Sequence, residues 1–231
     1  MTSLAIITAR GGSKRIPNKN RKLFLGKPIM EYSIQAALES GIFDEVMVST
    51  DDEEIARIAE KAGAKVPFLR SESTSDDFAT TADVIAEVVE EYKKRGYSFD
   101  FICCIYPTAP FLTPQTLKEA MEVLTTKKAD SVVPVVKFSF PPQRCVVMKE
   151  DKLEAKWPEY MNCRSQDLEP YYHDCGQFYC MNGKSFQEQK KLIMNHTYPY
   201  IQDERMVQDI DTPQDWEIAE LKYQMLHKDG N

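Results

Sequence analysis

Short apolar runs that are typical of buried strands alternate with helical patterns through the first 137 residues. The predicted strands are Leu4–Thr8, Glu45–Thr50, Phe101–Tyr106 and Ser131–Val136. The helices predicted between them are Glu31–Glu39, Glu53–Ala62, Ala82–Arg95 and a segment that begins at Pro114. Strands of this kind are buried on both faces, and their alternation with helices is typical of parallel sheets. The sequence therefore predicts an α/β fold built on a doubly wound, mostly parallel sheet.

The alternation stops after Lys137 and gives way to an aromatic, proline-bearing stretch over residues 138–172. Within it, Cys145–Met148 and Leu153–Trp157 flank a turn and are predicted to form a hairpin. Exposed apolar patches usually mark an interface, and two-fold dimers are the commonest closed oligomers. We therefore predict that residues 138–172 are an insertion that forms a homodimer.

After the insertion the α/β pattern resumes with a strand at Gln177–Met181 and a helix near Lys184–Lys191. A last strand is predicted at Met206–Ile210, and Thr212 is placed to cap a terminal helix over Gln214–His227. At roughly 150 residues per domain, a chain of 231 residues fits one domain with an excursion. We therefore treat residues 1–231 as a single domain.

The composition excludes several classes of protein. The chain has 29 basic and 36 acidic residues, a net charge of −7, which argues against general nucleic-acid binding. No apolar run approaches the roughly 20 residues that span a bilayer, and the first apolar stretch is too short for a signal peptide. The six cysteines lack zinc-ligand spacing, which favours reduced thiols. We expect a cytoplasmic protein without a membrane or nucleic-acid partner.

One segment departs from the acidic average, because residues 9–28 contain seven basic residues and no acidic one. Its first part follows a buried strand directly, where ligands bind in open α/β sheets. Gly11 and Gly12 allow backbone amides to approach phosphate oxygens closely. The positive charge beside them comes from Arg10, Lys14 and Lys19. The spacing matches neither a P-loop nor a dinucleotide fingerprint, so we predict another kind of phosphate-binding loop, with a solvated basic loop as the alternative.

Asp209 and Asp211 stand two residues apart in the last predicted strand, so both carboxylates are expected on one face of it. Two carboxylates beside a triphosphate are a common arrangement for Mg²⁺, which takes its remaining oxygens from phosphate and water. The alternative is that Asp211 only helps to cap the terminal helix. The pair predicts a Mg²⁺ site near the basic loop.

Five motifs resemble, in the same order along the chain, those of the acylneuraminate cytidylyltransferase (CMP-nonulosonic acid synthetase) family. They are ARGGSKRIPNKN at 9–20, STDD at 49–52, VPFLR at 66–70, PTAP at 107–110 and DIDTP at 209–213. RSQDLE at 164–169 and HDCGQFY at 173–179 look like the members that activate pseudaminic acid. The resemblance implies a Rossmann-like nucleotidyltransferase that transfers CMP from CTP to the anomeric hydroxyl of a nonulosonic acid and releases pyrophosphate, with Mg²⁺ as cofactor.

The resemblance also implies roles for individual residues. The triphosphate would be bound by Arg10, Gly11, Gly12, Ser13, Lys14, Lys19 and Asn20, and cytosine and ribose by Arg70, Ala79, Thr80 and Thr81. The sugar pocket would contain Tyr106, Arg164, Asp174, Gln177, Phe178 and Tyr179, with Arg164 alternatively reaching a partner subunit. Asp209 and Asp211 would be metal ligands. Arg10 and Lys19 would stabilise the leaving pyrophosphate, and Asp211 or Asp209 would accept the proton of the attacking hydroxyl.

Tyr106 marks a departure, because sialic-acid members carry glutamine ahead of the Pro-Thr pair. That position contacts the sugar in relatives, so Tyr106 disfavours N-acetylneuraminate and favours pseudaminic acid. An N-acetylneuraminate or legionaminate cytidylyltransferase remains the alternative within the family. A nucleotide-binding module without turnover is the alternative from another class, and the presence of Lys19, Asp209 and Asp211 argues against it.

Overall fold

The computed structural model describes residues 1–76 and 78–227. The strands, in chain order, are β1 Ser3–Thr8, β2 Leu23–Phe24, β3 Lys27–Pro28, β4 Glu45–Ser49, β5 Phe101–Ile105, β6 Ser131–Lys137, β7 Val146–Lys149, β8 Lys152–Ala155, β9 Tyr172–Asp174, β10 Phe178–Asn182 and β11 Thr197–Ile201. The α-helices are α1 Ile29–Ser40, α2 Glu53–Lys61, α3 Glu72–Ser75, α4 Thr81–Lys94, α5 Pro114–Thr126, α6 Gly183–Gln189 and α7 Pro213–His227.

The central sheet has the order β11-β6-β10-β5-β1-β4, and β9 extends it by pairing with β6. Strand β1 is parallel to both β4 and β5, and β11 is parallel to β6. Strand β10 lies antiparallel between β5 and β6, and β9 is also antiparallel to β6. The predicted α/β fold with a mostly parallel sheet is confirmed.

Apolar side chains of the sheet are buried on both of its faces. On one face, Ile7 and Ile105 pack with residues of α1, α2 and α5, including Ile34 and Leu117. On the other face, Ile6 and Cys104 pack with residues of α4 and α6. Helix α7 packs in a separate cluster in which Trp216 joins Phe24, Tyr32 and Ile16. This third cluster brings the terminal helix next to the basic loop.

The terminal helix begins as predicted. Thr212 and Asp215 form two reciprocal hydrogen bonds. The Asp215 amide donates to Thr212 Oγ1 at 3.2 Å, and the Thr212 amide donates to Asp215 Oδ2 at 2.7 Å. The Asp215 carboxylate also accepts from the Asp211 amide at 3.1 Å. The start of α7 therefore fixes the backbone at Asp211.

The predicted strand at Met206–Ile210 is wrong. The structure has a short 3₁₀ turn at Glu204–Met206, followed by irregular backbone up to α7. The last strand of the sheet is Thr197–Ile201, which the sequence analysis did not predict. Proline is tolerated on edge strands, and Pro199 lies on one here.

Within the predicted insertion, the hairpin is confirmed as β7 and β8, with Met148 opposite Leu153. Its two-residue turn, Glu150-Asp151, has positive φ at both positions, as two-residue hairpin turns of type I′ require. The hairpin forms its own two-stranded sheet, separate from the central sheet. Met148 and Leu153 are each more than 70% exposed, so the hairpin buries little of its apolar surface within this chain.

Candidate active site

A cavity of about 590 Å³ opens where the basic loop, the residue after β5 and the start of α4 meet. The side chains predicted for nucleotide binding that line it are Arg10, Ser13, Lys14, Lys19, Asn20, Arg70, Ala79 and Thr81. Gly11, Gly12 and Thr80 lie in the same two loops and do not line it. Thr80 instead caps α4, where its hydroxyl and the Asp83 carboxylate form a capping box. The cavity thus gathers most of the predicted nucleotide residues.

The basic loop is held against the start of α2. The Gly11 amide donates to Asp51 Oδ1 at 2.8 Å, and a Cβ at Gly11 would lie 3.0 Å from Asp52 Cβ. A side chain at Gly11 would therefore displace Asp52, which caps α2. Buried Asn20 donates from Nδ2 to the Arg10 carbonyl at 2.8 Å. Gly11 and Asn20 thus shape the loop from inside, while Arg10, Ser13 and Lys19 face the cavity.

Arg70 is a buried cation in the wall of the cavity. Its Nε donates to Ser49 Oγ at 3.0 Å, and its Nη2 donates to the Ser49 carbonyl at 2.6 Å. Burial lowers the pKa of Arg70 from its usual value. Arginine carries five N–H donors, and these two bonds leave others for a ligand in the cavity.

Lys19 and Arg15 of the basic loop form ion pairs with Asp211, which lies more than 190 residues later in the sequence. Arg15 Nη1 lies 2.7 Å from Asp211 Oδ2, and Lys19 Nζ lies 3.5 Å from Asp211 Oδ1. Lys19 Nζ also donates to the Ile210 carbonyl at 2.6 Å. The predicted proximity of Asp211 to the basic loop is confirmed. Arg15 was not among the predicted site residues, and its only signal was its place in the acid-free basic block.

Asp209 lines a second cavity of about 570 Å³, which also contains Lys137, His173, Asp174 and Lys222. Burial raises the pKa of Asp209, and the neighbouring Asp211 carboxylate raises it further. The expectation that Asp209 and Asp211 project from one face of a strand is wrong, because no strand forms there. The two carboxylates lie on an irregular segment, with Asp211 at the basic loop and Asp209 in the second cavity.

A polar and aromatic chain connects the two cavities. Tyr106 lines the first cavity, where its hydroxyl lies 3.0 Å from Thr81 Oγ1. Its ring meets the ring of Tyr179 edge-on, with centroids 5.6 Å apart. The Tyr179 hydroxyl donates to Asp174 Oδ2 at 2.6 Å, and Asp174 lines the second cavity. Burial raises the pKa of both tyrosines.

The remaining residues predicted for the sugar pocket lie elsewhere. Phe178 is fully buried in the core on the α1, α2 and α5 face, with its ring near Tyr200. Gln177 is also buried; its Nε2 donates to the Met206 carbonyl at 2.7 Å, and its Oε1 accepts from Gln202 at 3.2 Å. Arg164 is exposed in the predicted insertion and pairs with Asp167 at 2.7 Å. Neither cavity is lined by Gln177, Phe178 or Arg164 in the described parts of the chain.

The metal-binding potential of the site rests on two carboxylates. Within residues 1–76 and 78–227, no cluster of three or more His, Cys, Asp or Glu side chains is arranged to hold a metal. If Asp209 and Asp211 bind a metal, they would supply at most part of its coordination shell. No helix in the same residues is long and apolar enough to cross a membrane.

Comparisons with known proteins show the family and the fold of the chain. A family model described as cytidylyltransferase matches residues 4–207. A pseudaminic acid cytidylyltransferase of Campylobacter jejuni is 42% identical over 229 residues and is matched over 99% of both chains. A CMP-N,N′-diacetyllegionaminic acid synthase of Legionella pneumophila is 35% identical over 95% of both chains. A solved CMP:2-keto-3-deoxy-manno-octonic acid synthetase complexed with CTP has the same fold, with a TM-score of 0.70 at 16% identity over 99% of this chain and all of that one.

Proposed function

The chain belongs to the cytidylyltransferase family, and on this premise we propose that it transfers CMP from CTP to the anomeric hydroxyl of pseudaminic acid. The observation that carries the proposal is the pair of cavities joined through Tyr106, Tyr179 and Asp174. Five cationic side chains line one cavity, a charge that suits a triphosphate; they are Arg10, Lys14, Arg15, Lys19 and Arg70. The other has the mixed polar lining that suits an acidic, amide-bearing sugar.

The choice of sugar rests on the relatives and on Tyr106. The sequence identity to the pseudaminic acid cytidylyltransferase of Campylobacter jejuni is 42%, whereas the identity to the legionaminic acid synthase is 35%. Tyr106 supports Asp174 indirectly, through its edge-on contact with Tyr179. The Asp174 carboxylate also accepts the Gly176 amide at 2.8 Å, so its orientation is fixed before a substrate arrives. A fixed carboxylate acceptor suits the amide N–H and hydroxyl groups of a diacylated sugar.

In the proposed reaction the anomeric oxygen attacks the α-phosphorus of CTP, and the bond to the leaving pyrophosphate breaks. Transfers of this kind depend on positioning and on neutralising charge more than on covalent help from the protein. Lys19 and Arg10 line the cavity where the departing charge would develop, and Arg70, which lines the same cavity, would orient the nucleotide. Asp211 or Asp209 would accept the proton from the attacking hydroxyl.

We also propose that Asp209 and Asp211 hold Mg²⁺ together with phosphate oxygens. The donor set fits, because carboxylate oxygens are hard ligands and Mg²⁺ keeps several waters or phosphate oxygens beside one or two carboxylates. The raised pKa of Asp209 also fits, since a cation would offset the desolvation and the repulsion from Asp211. When bound, Mg²⁺ would neutralise phosphate charge and lower the pKa of the attacking hydroxyl.

We infer that the chain acts as a homodimer through the insertion. The exposed apolar side chains of this segment include Phe140, Val146, Met148, Leu153 and Trp157. Aromatic and methionine residues are enriched at interface cores.

We further propose a cytoplasmic location, which is supported by six free thiols that suit a reducing compartment.

A substrate panel tests the proposed function. With CTP and Mg²⁺ present, we expect pyrophosphate release with pseudaminic acid to exceed release with N-acetylneuraminate or legionaminate by at least about a hundredfold in kcat/KM, the discrimination expected when a site is built around a particular polar pattern. A preference for legionaminate would move the chain to the alternative substrate. Nucleotide binding without pyrophosphate release from any sugar would identify a binding module.

The dimer is tested by light scattering at micromolar concentration, where the proposal predicts twice the 26.5 kDa of one chain. Met148→Glu with Leu153→Glu places two carboxylates on one face of the exposed hairpin and should give monomers with a nearly unchanged melting temperature. Met225→Glu, at a 70% exposed position on α7, is the matched control and should stay dimeric. A monomeric wild type with full activity would contradict the proposal.

A further inference from the structure

The segment 203–211 carries Asp209 and Asp211 and belongs to no strand of the sheet. Apart from its own 3₁₀ turn, the carbonyl groups of this segment accept hydrogen bonds mainly from side chains of other elements. Gln177 donates to the Met206 carbonyl, and Lys19 donates to the Ile210 carbonyl. An irregular segment held in this way has no backbone ladder to fix it, so its position depends on those few side chains.

Lys222 of α7 makes two of these contacts. Its Nζ donates to the Val207 carbonyl at 2.6 Å and to the Glu204 carbonyl at 2.9 Å. The side chain is half-buried, lies 5.8 Å from the Phe111 ring centroid, and forms no ion pair with a carboxylate of residues 1–76 or 78–227. An ammonium that binds two carbonyls of one segment, three residues apart, fixes the distance between them.

The contacts of Lys222 lie directly before the carboxylates. Val207 is two residues ahead of Asp209, and the Asp211 amide on the far side is held by Asp215. Lys222 and Asp215 are both on α7, seven residues apart, so one rigid helix holds both ends of the segment. Hydrogen bonds from a charged donor are shorter and stronger than those between neutral groups.

We propose that Lys222 is a positioning residue that sets the place of Asp209 and Asp211 by clamping the Glu204 and Val207 carbonyls to α7. The inference rests on the proposed function for the role of the two carboxylates, and the clamp itself is a property of the free protein. Gln177, the residue before β10, is a second clamp on the same segment, and its buried contacts account for its absence from both cavity walls. Neither residue was assigned this role by the sequence.

The test compares Lys222→Met, which keeps the length of the side chain and removes its donors, with Lys222→Arg, which keeps a cation with several donors. Lys184→Met is the matched control, because Lys184 lies on another helix with its side chain 86% exposed. Amide hydrogen exchange is measured first, on the free protein without nucleotide or metal. We expect exchange in residues 203–211 to become at least tenfold faster in Lys222→Met, to return close to wild type in Lys222→Arg, and to stay unchanged in Lys184→Met.

Kinetics then separate a clamp from a substrate contact, since Lys222 also lines the second cavity. For a clamp, kcat of Lys222→Met falls roughly tenfold or more, on the scale of losing an outer-shell partner, while KM for the sugar changes less than threefold. A tenfold rise in that KM with normal exchange would make Lys222 a substrate contact and overturn the proposal, as would unchanged exchange in Lys222→Met. A wild type without cytidylyltransferase activity would contradict the proposed function and leave the exchange result to decide on the clamp.

Discussion

Asp211→Asn is expected to lower the turnover number by at least about a hundredfold, the usual scale for losing one strong electrostatic group at a reacting centre. The substitution keeps the size of the side chain and removes the charge that Arg15 and Lys19 face at 2.7 and 3.5 Å. Because the Asp211 side chain is 32% exposed, the loss of these ion pairs costs about 0–1 kcal/mol of folding stability. The measurement is pyrophosphate release at saturating substrates, together with a thermal melt.

The control is Asp100→Asn, which removes a carboxylate charge at the opposite end of β5. Asp100 accepts the Thr2 amide at 2.8 Å, a bond that an asparagine oxygen can also accept. We expect turnover within twofold of wild type for this variant. If Asp211→Asn behaved like Asp100→Asn, neither the metal role nor the proton-acceptor role of Asp211 would survive.

The parts of the fold that the sequence predicted are those that local patterns determine. Apolar runs such as Phe101–Ile105 form strands because no polar side chain interrupts them, and α5 begins at a threonine cap followed by proline. Strand β11 was missed because Pro199 argues against a ladder, and its position at the edge of the sheet makes the proline acceptable. An edge position follows from the topology of the whole sheet and is invisible in a short window.

The candidate site likewise has parts that a local sequence pattern predicts and parts that depend on contacts between distant residues. The basic loop was predicted because charge and glycine are concentrated within a few residues, and most of its side chains line the first cavity. The ion pair between Arg15 and Asp211 joins residues 196 apart, and no local pattern indicates such a pair. Sequence reasoning thus predicted most of the loop side chains that line the first cavity and missed the contact between Arg15 and Asp211.

Strand periodicity also explains why part of the predicted sugar pocket lies in the core. Phe178 and Tyr179 are neighbours on β10, so their side chains point to opposite faces of the sheet. Phe178 packs in the cluster with α5, and Tyr179 packs in the cluster with α4. Only Tyr179 lies on the side that reaches Tyr106 and Asp174. The resemblance implied that both residues contribute to the sugar pocket. Because neighbouring side chains of a strand point to opposite faces, only one of the two can lie on the pocket side of the sheet.

Lys19→Met is expected to lower kcat/KM for CTP by about a thousandfold, because in the proposed function Lys19 would neutralise the triphosphate and its ammonium also contacts the segment that carries Asp211. Its Nζ donates to the Ile210 carbonyl at 2.6 Å, so the variant also loses about 1–3 kcal/mol of stability. Lys22→Met is the matched control from the same basic block. Lys22 lies over the Trp216 ring, 4.2 Å from its centroid, and should change kcat/KM less than threefold.

A double-mutant cycle separates the two roles of Lys19. If Lys19 and Asp211 act as a unit, the Lys19→Met/Asp211→Asn variant loses less activity than the two single losses multiplied together, with a coupling of about 0.5–3 kcal/mol for residues in contact. If Lys19 binds only phosphate, the losses multiply. A solvated basic loop predicts a third result, in which Lys19→Met and Lys22→Met weaken CTP turnover equally and slightly, because a screened surface charge has no preferred partner. The contact between Lys19 and the Ile210 carbonyl favours the first outcome, since it couples the position of the ammonium to the position of the carboxylate that follows it.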